Sequence, residues 1–184
     1  NMLTEKWYAN GGGLSQTQTF TYDGANRLTS SVDPDGTYTL TYNAAHEITR
    51  VDEPFGAGLS FAYDGVGRRT RVEDSFGGVV TSVYDAAGRL TNRQLGGSGV
   101  TLIQSTWAYD GVGRATTEGR QSWNGAWQPV ATTTYDFDAA NNVRNIKTVD
   151  ASNNVLANYT FTFDAADRIT AKLENNSNTS YAYD

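Results

Sequence analysis

A single octapeptide recurs along this chain of 184 residues, and its first copy reads Tyr22-Asp23-Gly24-Ala25-Asn26-Arg27-Leu28-Thr29. Further copies follow roughly every 20 to 28 residues and begin at Tyr42, Tyr63, Tyr84, Tyr109, Phe137 and Phe163. Tyr183 and Asp184 open one more copy. Such self-similarity is typical of tandem-repeat proteins. We therefore expect a Gly-rich lead-in over residues 1–16 and an array over residues 17–184, with about seven repeats and a truncated eighth motif, excised from a longer protein.

The residues that lead into each motif have the pattern of a β-strand. Tyr38, Leu40 and Tyr42 alternate with threonines, which is a period of two. The same alternation places three further sets on one face each: Leu59, Phe61 and Tyr63; Ile103, Trp107 and Tyr109; and Tyr159, Phe161 and Phe163. The aromatic side chain that opens each motif is therefore predicted to point toward a packed core.

The residues after the aromatic predict a tight turn. A side chain that can accept a backbone N–H comes first, at Asp23, Asn43, Asp64, Asp85, Asp110, Asp138 and Asp164. Two small residues follow. The next residue tolerates positive φ, and it is Asn26, His46, Gly67, Gly88, Gly113, Asn141 or Asp167. This order is typical of a type I turn with a G1 bulge, so each motif is predicted to be a hairpin tip.

A second turn of variable length and chemistry separates successive motifs. The candidates are residues 33–36, 53–56, 74–77, 96–99, 123–125, 152–154 and 175–177. Two strands per repeat give roughly 14 strands, and an open sheet of that size must twist. The sequence thus predicts an all-β fold of tandem β-hairpin repeats. They would form a curved or spiralling antiparallel meander sheet, an open shell or solenoid-like strip with its aromatic residues on the packed face.

The motif resembles the YD repeat, also called the rearrangement-hotspot (RHS) repeat. Tyr84-Asp85-Ala86-Ala87-Gly88-Arg89-Leu90-Thr91 is the clearest copy, and the resemblance covers nearly the whole chain. It implies kinship with bacterial polymorphic toxins, shell components of insecticidal toxin complexes, wall-associated proteins and teneurins, in which YD repeats form a spiralling β-shell. The resemblance implies a structural segment of a large secreted or cell-surface protein that encapsulates a cargo or toxin. Its partners would be neighbouring repeats of the full-length protein and an encapsulated polypeptide.

An alternative function is an adhesion module that binds carbohydrate or protein through aromatic residues on the variable turns. Trp107, Trp123 and Trp127 lie within one long repeat, and exposed indoles can stack on sugar rings. The structural interpretation is that Trp107 belongs to the core, while Trp123 and Trp127 pair across strands or cap an open sheet end. The sequence leaves both interpretations open.

Five arginines occupy the same place just after the turn, and two interpretations apply to them as well. They are Arg27, Arg68, Arg89, Arg114 and Arg168. A basic row could hold an acidic glycan or cargo. Alternatively, each guanidinium lies over an aromatic ring or pairs with an acidic turn residue. Glu47 and Asn142 interrupt the row, which favours the structural interpretation.

Composition and residue inventory restrict the function classes. A net charge of -6 disfavours nucleic-acid binding, and no long apolar run or signal peptide suggests membrane insertion. His46 is the single histidine and lies in a turn, and cysteine is absent. We therefore expect no enzyme activity, no catalytic residue, no cofactor and no metal site. Unpaired strands at the ends of such a sheet predict edge-to-edge self-association.

Overall fold

A computed structural model describes residues 2–8, 14–175 and 177–184, with the backbone alone at positions 14 and 15. The described chain contains sixteen β-strands and one 3₁₀ turn, Pro54–Gly56. The strands are β1 Met2–Tyr8, β2 Leu14–Tyr22, β3 Leu28–Asp33, β4 Gly36–Tyr42, β5 Ile48–Asp52, β6 Gly58–Tyr63, β7 Arg69–Asp74, β8 Gly78–Tyr84, β9 Leu90–Gly97, β10 Val100–Tyr109, β11 Ala115–Trp123, β12 Trp127–Phe137, β13 Val143–Asp150, β14 Val155–Phe163, β15 Ile169–Glu174 and β16 Ser177–Ser180.

The chain divides into two compact units. Unit 1 consists of Asn1–Ser82 with Gly96–Gly99, and unit 2 consists of Val83–Leu95 with Val100–Asp184. In both units strand order follows chain order, and the paired strands are antiparallel. The all-β fold class and its meander of tandem hairpins are confirmed.

The expected number of strands was too small by two. Strands β2 to β15 flank the seven motifs as predicted, whereas β1 and β16 each extend the array. β1 lies within the predicted lead-in, where Leu3 pairs with Phe20 on β2. The lead-in formed a strand because β2 reaches back to Leu14 and offers an edge for pairing. Residues 9–13, with the predicted Gly-rich stretch, and Asn176 of the last second turn lie outside the described residues, and the boundary at residue 16 stays a prediction.

The hairpin tip predicted from the motif is confirmed in all seven copies. Positive φ occurs at each expected position: Asn26, His46, Gly67, Gly88, Gly113, Asn141 and Asp167. In the first copy the Asn26 N–H donates to the Asp23 carbonyl at 3.1 Å, which closes a four-residue turn. The strand register then shifts by one residue at Tyr22, as a bulge requires. Local residue chemistry was therefore sufficient to place every motif turn.

The predicted packed core is more open than expected. Among the described residues, Ala131 is the one buried apolar side chain and no large side chain is fully buried. Tyr38 and Ile103, expected to face the core, are 37% and 45% exposed. Within each unit the strongest contacts join successive strands. The aromatic residues are therefore half-covered by their neighbours along the sheet, and Trp107 is likewise half-buried.

Polar side chains take several of the best-buried positions, and they bond across strands. Gln104 is 8% exposed, and its amide oxygen accepts hydrogen bonds from Asn92 at 2.9 Å and Gln94 at 3.1 Å. Its amide nitrogen donates to Gln121. Thr133, 5% exposed, shares a hydrogen bond of 2.9 Å with Thr148. Such satisfied lateral bonds hold the sheet in register where apolar burial is small.

Candidate functional site

The motif carboxylate organises its own turn with both oxygens. Oδ1 of Asp110 accepts the backbone N–H groups of Val112 at 3.1 Å and Arg114 at 2.9 Å, while Oδ2 accepts Nε–H of Arg114 at 2.6 Å. The same carboxylate–arginine bond has lengths of 2.6–2.8 Å in four other copies: Asp23–Arg27, Asp64–Arg68, Asp85–Arg89 and Asp164–Arg168. Each pair is half-exposed, so its geometric role in fixing the arginine matters more than its Coulombic energy.

The fixed arginine reaches the next repeat. Its guanidinium carbon lies 4.4–4.6 Å from the centroid of the following motif's aromatic ring in four pairs: Arg27 with Tyr42, Arg89 with Tyr109, Arg114 with Phe137 and Arg168 with Tyr183. The distance is that of a cation–π contact. In these four pairs a motif therefore contacts its successor through the arginine that its own carboxylate holds.

The following tyrosine returns a second contact. Its hydroxyl donates a hydrogen bond of 2.7 Å to the backbone carbonyl of the apolar residue in the preceding motif, as in Tyr42 to Leu28, Tyr63 to Ile48, Tyr109 to Leu90 and Tyr183 to Ile169. We call the combination of carboxylate, arginine and following aromatic the clasp. The clasp joins one repeat to the next inside each unit.

Two copies replace the ion pair and keep the bond. In the second copy the amide of Asn43 donates to the Glu47 carboxylate at 2.6 Å, so donor and acceptor are exchanged. In the sixth copy the amide of Asn142 donates to Asp138 at 3.2 Å and to Asp167 of the next turn at 2.8 Å. The hydrogen bond between the first turn residue and the residue four positions later therefore requires only that one side chain donates and the other accepts. The cation–π contact requires arginine.

The turn geometry keeps the motif carboxylates ionised. The pKa of Asp23, Asp85 and Asp164 is lowered, chiefly by the backbone N–H of the arginine four residues later. At Asp64 and Asp110 partial desolvation is the largest single influence and raises the pKa, but the hydrogen bonds from the turn together outweigh it and the pKa falls. The clasp is thus built for the charged form of the carboxylate.

The arginine row is engaged in structural contacts, as the structural interpretation expected. Besides the contacts to their own carboxylates and to the next rings, Nη1 of Arg27 donates to the Asn43 carbonyl at 3.2 Å. Nη1 of Arg114 donates to the Asn141 side chain at 2.7 Å. Arg27 and Arg114 therefore use part of their N–H groups for contacts within the array.

The three tryptophans are only partly brought together. Trp123 and Trp127 pair directly across β11 and β12, with ring centroids 5.3 Å apart and planes at 73°. Trp123 is 44% exposed. Trp107 pairs instead with Glu118. Glu118 and Trp123 are both on β11, and at the usual strand rise they lie about 17 Å apart. The cross-strand pair expected by the structural interpretation is therefore present, and Trp107 is apart from it.

Two exposed phenylalanines on second turns of unit 1 were not singled out from the sequence. Phe55 is 94% exposed and Phe76 is 79% exposed. A signal was available in the sequence, because Pro54-Phe55-Gly56 and Ser75-Phe76-Gly77 place an aromatic residue before glycine in successive second turns. Exposed apolar patches, unlike single exposed apolar side chains, often mark interaction sites.

His46 has the role in the turn that its position predicted. It closes the second motif turn at φ 65°, and its Nδ1 lies 3.3 Å from Nη1 of Arg27. The described residues contain no cluster of three or more histidine, cysteine, aspartate or glutamate residues that could hold a metal ion. Nor does that part of the chain include a helix long and apolar enough to cross a membrane.

Comparison with known proteins identifies the repeat. The RHS Repeat family model matches residues 2–38, 22–57 and 63–101, which together cover more than half of the chain. The chain belongs to the RHS repeat family. No curated protein matches this sequence at a significant level.

Solved structures share this RHS fold. A crystal structure of TcdB2-TccC3-TEV has a TM-score of 0.71 at 14% identity, over 99% of this chain and 11% of that one. TcdB2-TccC3-Cdc42 gives 0.71 at 17% identity, over 97% and 11% of the two chains. A Tc holotoxin pore from Photorhabdus luminescens gives 0.71 at 16% identity, again over 97% and 11%. At this identity the likeness shows the fold, and our chain spans about a tenth of each of those chains.

Proposed function

We propose that this chain is a non-catalytic scaffold segment of a larger RHS-repeat protein that is secreted or displayed at the cell surface. Its repeats would form part of a wall that encloses a polypeptide cargo or toxin. The clasp is the observation that carries the proposal, because the charged and aromatic residues of the motif contact the neighbouring repeat. A motif used in this way extends an array and leaves chemistry to other regions.

Two further observations support the wall. The two copies that lack an arginine still contact the next repeat, because the Tyr63 hydroxyl donates to the Ile48 carbonyl and the Asn142 amide donates to Asp167. The fold matches part of a chain from a structure described as a Tc holotoxin pore, and the match spans 11% of that chain. A segment that contributes to a larger wall is expected to match only part of such a chain.

Limited proteolysis of the complete protein that carries these repeats tests the wall. If the array encloses cargo, a segment outside the array resists protease at concentrations that cleave the same segment expressed alone. Loosening two clasps with Arg89→Ala and Arg114→Ala should then expose that segment. Arg71→Ala is the matched control, because Arg71 forms a pair with Glu73 within its own strand and belongs to no clasp. Equal cleavage of the segment with and without an intact array would contradict enclosure.

A second candidate function is carbohydrate or protein adhesion through the second turns, favoured by the exposed Trp123 beside Trp127. The edge-to-face pair leaves part of one indole accessible for stacking on a sugar ring. Glycan-array binding by the chain, abolished by Trp123→Ala and Trp127→Ala and kept by Trp107→Phe, would support this function. Binding that survives both alanine substitutions would contradict it.

A further inference from the structure

Phe55 occupies a backbone conformation that its side chain does not favour. Its φ is 67° and its ψ is 16°, in the left-handed region. The other non-glycine residues with positive φ in the described chain are all asparagine, aspartate or histidine: Asn26, His46, Asn141, Asn153, Asp167 and Asn175. A bulky residue in this region costs folding free energy. The ring is also almost fully exposed and gains no burial in return, so folding does not explain why phenylalanine is present.

The second phenylalanine lies on the adjacent turn, and hydrogen bonds join the two turns. The hydroxyl of Ser75 donates to the Gly56 carbonyl at 3.1 Å and accepts the Gly58 N–H at 3.1 Å. The Ser75 N–H donates to the Gly58 carbonyl at 2.9 Å. Because Gly56 follows Phe55 and Ser75 precedes Phe76, the two exposed rings are presented from one bonded framework. Aromatic anchors presented from an ordered backbone lose little entropy on binding.

The framework continues along the second turns of unit 1. A Cβ on Gly36 would lie 2.6 Å from Cβ of Pro54, and one on Gly97 would lie 2.5 Å from the Gly77 carbonyl oxygen. The Ser98 N–H donates to that same oxygen at 3.3 Å. Glycine is therefore required at both contacts, which allows adjacent turns to pack closely. Tight packing of this kind keeps the two rings in place.

The second turns that carry the two rings are acidic. The second turns of unit 1 carry four carboxylates and neither lysine nor arginine: Asp33, Asp35, Glu53 and Asp74. A recess of about 310 Å³ beside Phe76 is lined by Glu73 and Asp74 together with Arg50, and the Arg50 guanidinium is paired with Asp52. Glu73 is in turn paired with Arg71. Asp74 accepts the N–H groups of Phe76 and Gly78 through Oδ1 and has no ion-pair partner among the described residues, so it adds a negative charge to the recess.

We propose that Phe55 and Phe76, with the recess beside them, form a docking surface for a polypeptide segment in which basic and apolar side chains alternate. The apolar side chains would contact the two rings, and a lysine or arginine would enter the recess toward Asp74. Polypeptide is favoured over an acidic ligand because the surface is anionic, and hydrophobic anchors beside complementary charge are typical of protein interfaces. The surface lies in unit 1 and does not depend on the array enclosing a cargo.

A binding titration with defined peptides tests the surface. The probe is a fluorescent octapeptide of alternating lysine and phenylalanine, compared with lysine–serine and glutamate–phenylalanine counterparts, and anisotropy is measured against the intact chain. We expect the lysine–phenylalanine peptide to bind at least about tenfold more tightly than either counterpart. Equal binding of the lysine–serine peptide would mean that net charge alone attracts it and would overturn the proposal.

Two variants separate binding from folding. Phe55→Gly removes the ring and relieves the positive φ, so the protein should unfold at an equal or higher temperature while the peptide binds several-fold less tightly. Adding Phe76→Ser should lower the affinity at least about tenfold in total. Val66→Ser is the matched control, because Val66 is 76% exposed on a motif turn of the same unit and should leave binding within about twofold. Binding unchanged in the double variant, or lost equally in Val66→Ser, would overturn the proposal.

Discussion

The motif turns and the second turns are similar in backbone and different in what their side chains contact. Asp74 on a second turn accepts the N–H groups of Phe76 at 2.8 Å and Gly78 at 2.9 Å, as a motif carboxylate does. Yet no arginine follows four residues later, and the residue two positions after Asp74 is the exposed Phe76. One turn geometry thus serves two purposes: motif turns carry the clasp, whereas second turns differ in length and chemistry and present exposed side chains such as Phe76.

The largest expected effect comes from protonating the motif carboxylates together. Their folded pKa lies below the ordinary value of 3.8, so their contribution to stability is complete above that pH and is lost as pH falls through the lower folded value. We expect the thermal unfolding temperature to be nearly constant from about pH 7 to pH 5 and to fall steeply toward about pH 3. Circular dichroism melts measure this.

Asp110→Asn sharpens the same comparison. It keeps an acceptor for the turn N–H groups but cannot titrate, so the variant should be less stable at neutral pH and slightly less pH-dependent. An unfolding temperature of the unsubstituted chain that does not change between about pH 7 and pH 3 would show that the clasp carboxylates do not stabilise the array.

A β-branched residue at a turn closer should have the next largest effect. Gly113 has φ 91°, and a Cβ there would be in ordinary contact with Nη1 of Arg89 at 3.8 Å, so Gly113→Val adds backbone strain and brings its methyl groups against a clasp arginine. We expect a loss of about 2 kcal/mol in the free energy of unfolding, measured by urea denaturation. Gly125→Val on a second turn, where φ is 75° and no atom lies nearby, should cost about 1 kcal/mol. Equal losses would contradict the distinction between the two kinds of turn.

Removing one clasp hydroxyl should have a moderate effect. Tyr109→Phe deletes the 2.7 Å hydrogen bond to the Leu90 carbonyl and keeps the ring under Arg89, so the loss should be about 1 kcal/mol. Calorimetry measures this. The converse change, Phe137→Tyr, provides a hydroxyl that this copy lacks and should raise stability by a similar or smaller amount. If neither Tyr109→Phe nor Phe137→Tyr changes stability, water replaces the hydrogen bond of the tyrosine hydroxyl without cost.

The smallest expected effect comes from restoring the consensus in the second copy. Asn43→Asp with Glu47→Arg replaces the exchanged hydrogen bond by the usual ion pair and adds a guanidinium near Tyr63. We expect a gain of about 0.5 kcal/mol in the free energy of unfolding by urea titration. Glu47→Arg alone, which leaves an amide opposite the guanidinium, should gain less. A net loss in the double variant would show that Asn43 and Glu47 are adapted to their neighbours.

Much of the fold could be predicted because its signals are local. The residues that close the motif turns identify themselves by their tolerance of positive φ, from Asn26 to Asp167, and the alternation around Tyr42 marks the strands. Phe55 was missed because a left-handed phenylalanine contradicts residue preference. β1 was missed as a strand because its partner edge on β2 is created only by folding. Trp107 was grouped with Trp123 by proximity in sequence, whereas strand register separates them.

The sequence alone determined the repeat, its hairpin tips and the residue types at each tip, because a turn depends on four or five consecutive residues. The three-dimensional structure decided which repeat each arginine serves, how open the aromatic face is and which aromatic residues are exposed. These properties depend on groups 14 to 27 residues apart, such as Tyr42 and Leu28 or Arg114 and Asn141. Contacts at that separation follow from strand register, and register is set by the sheet as a whole.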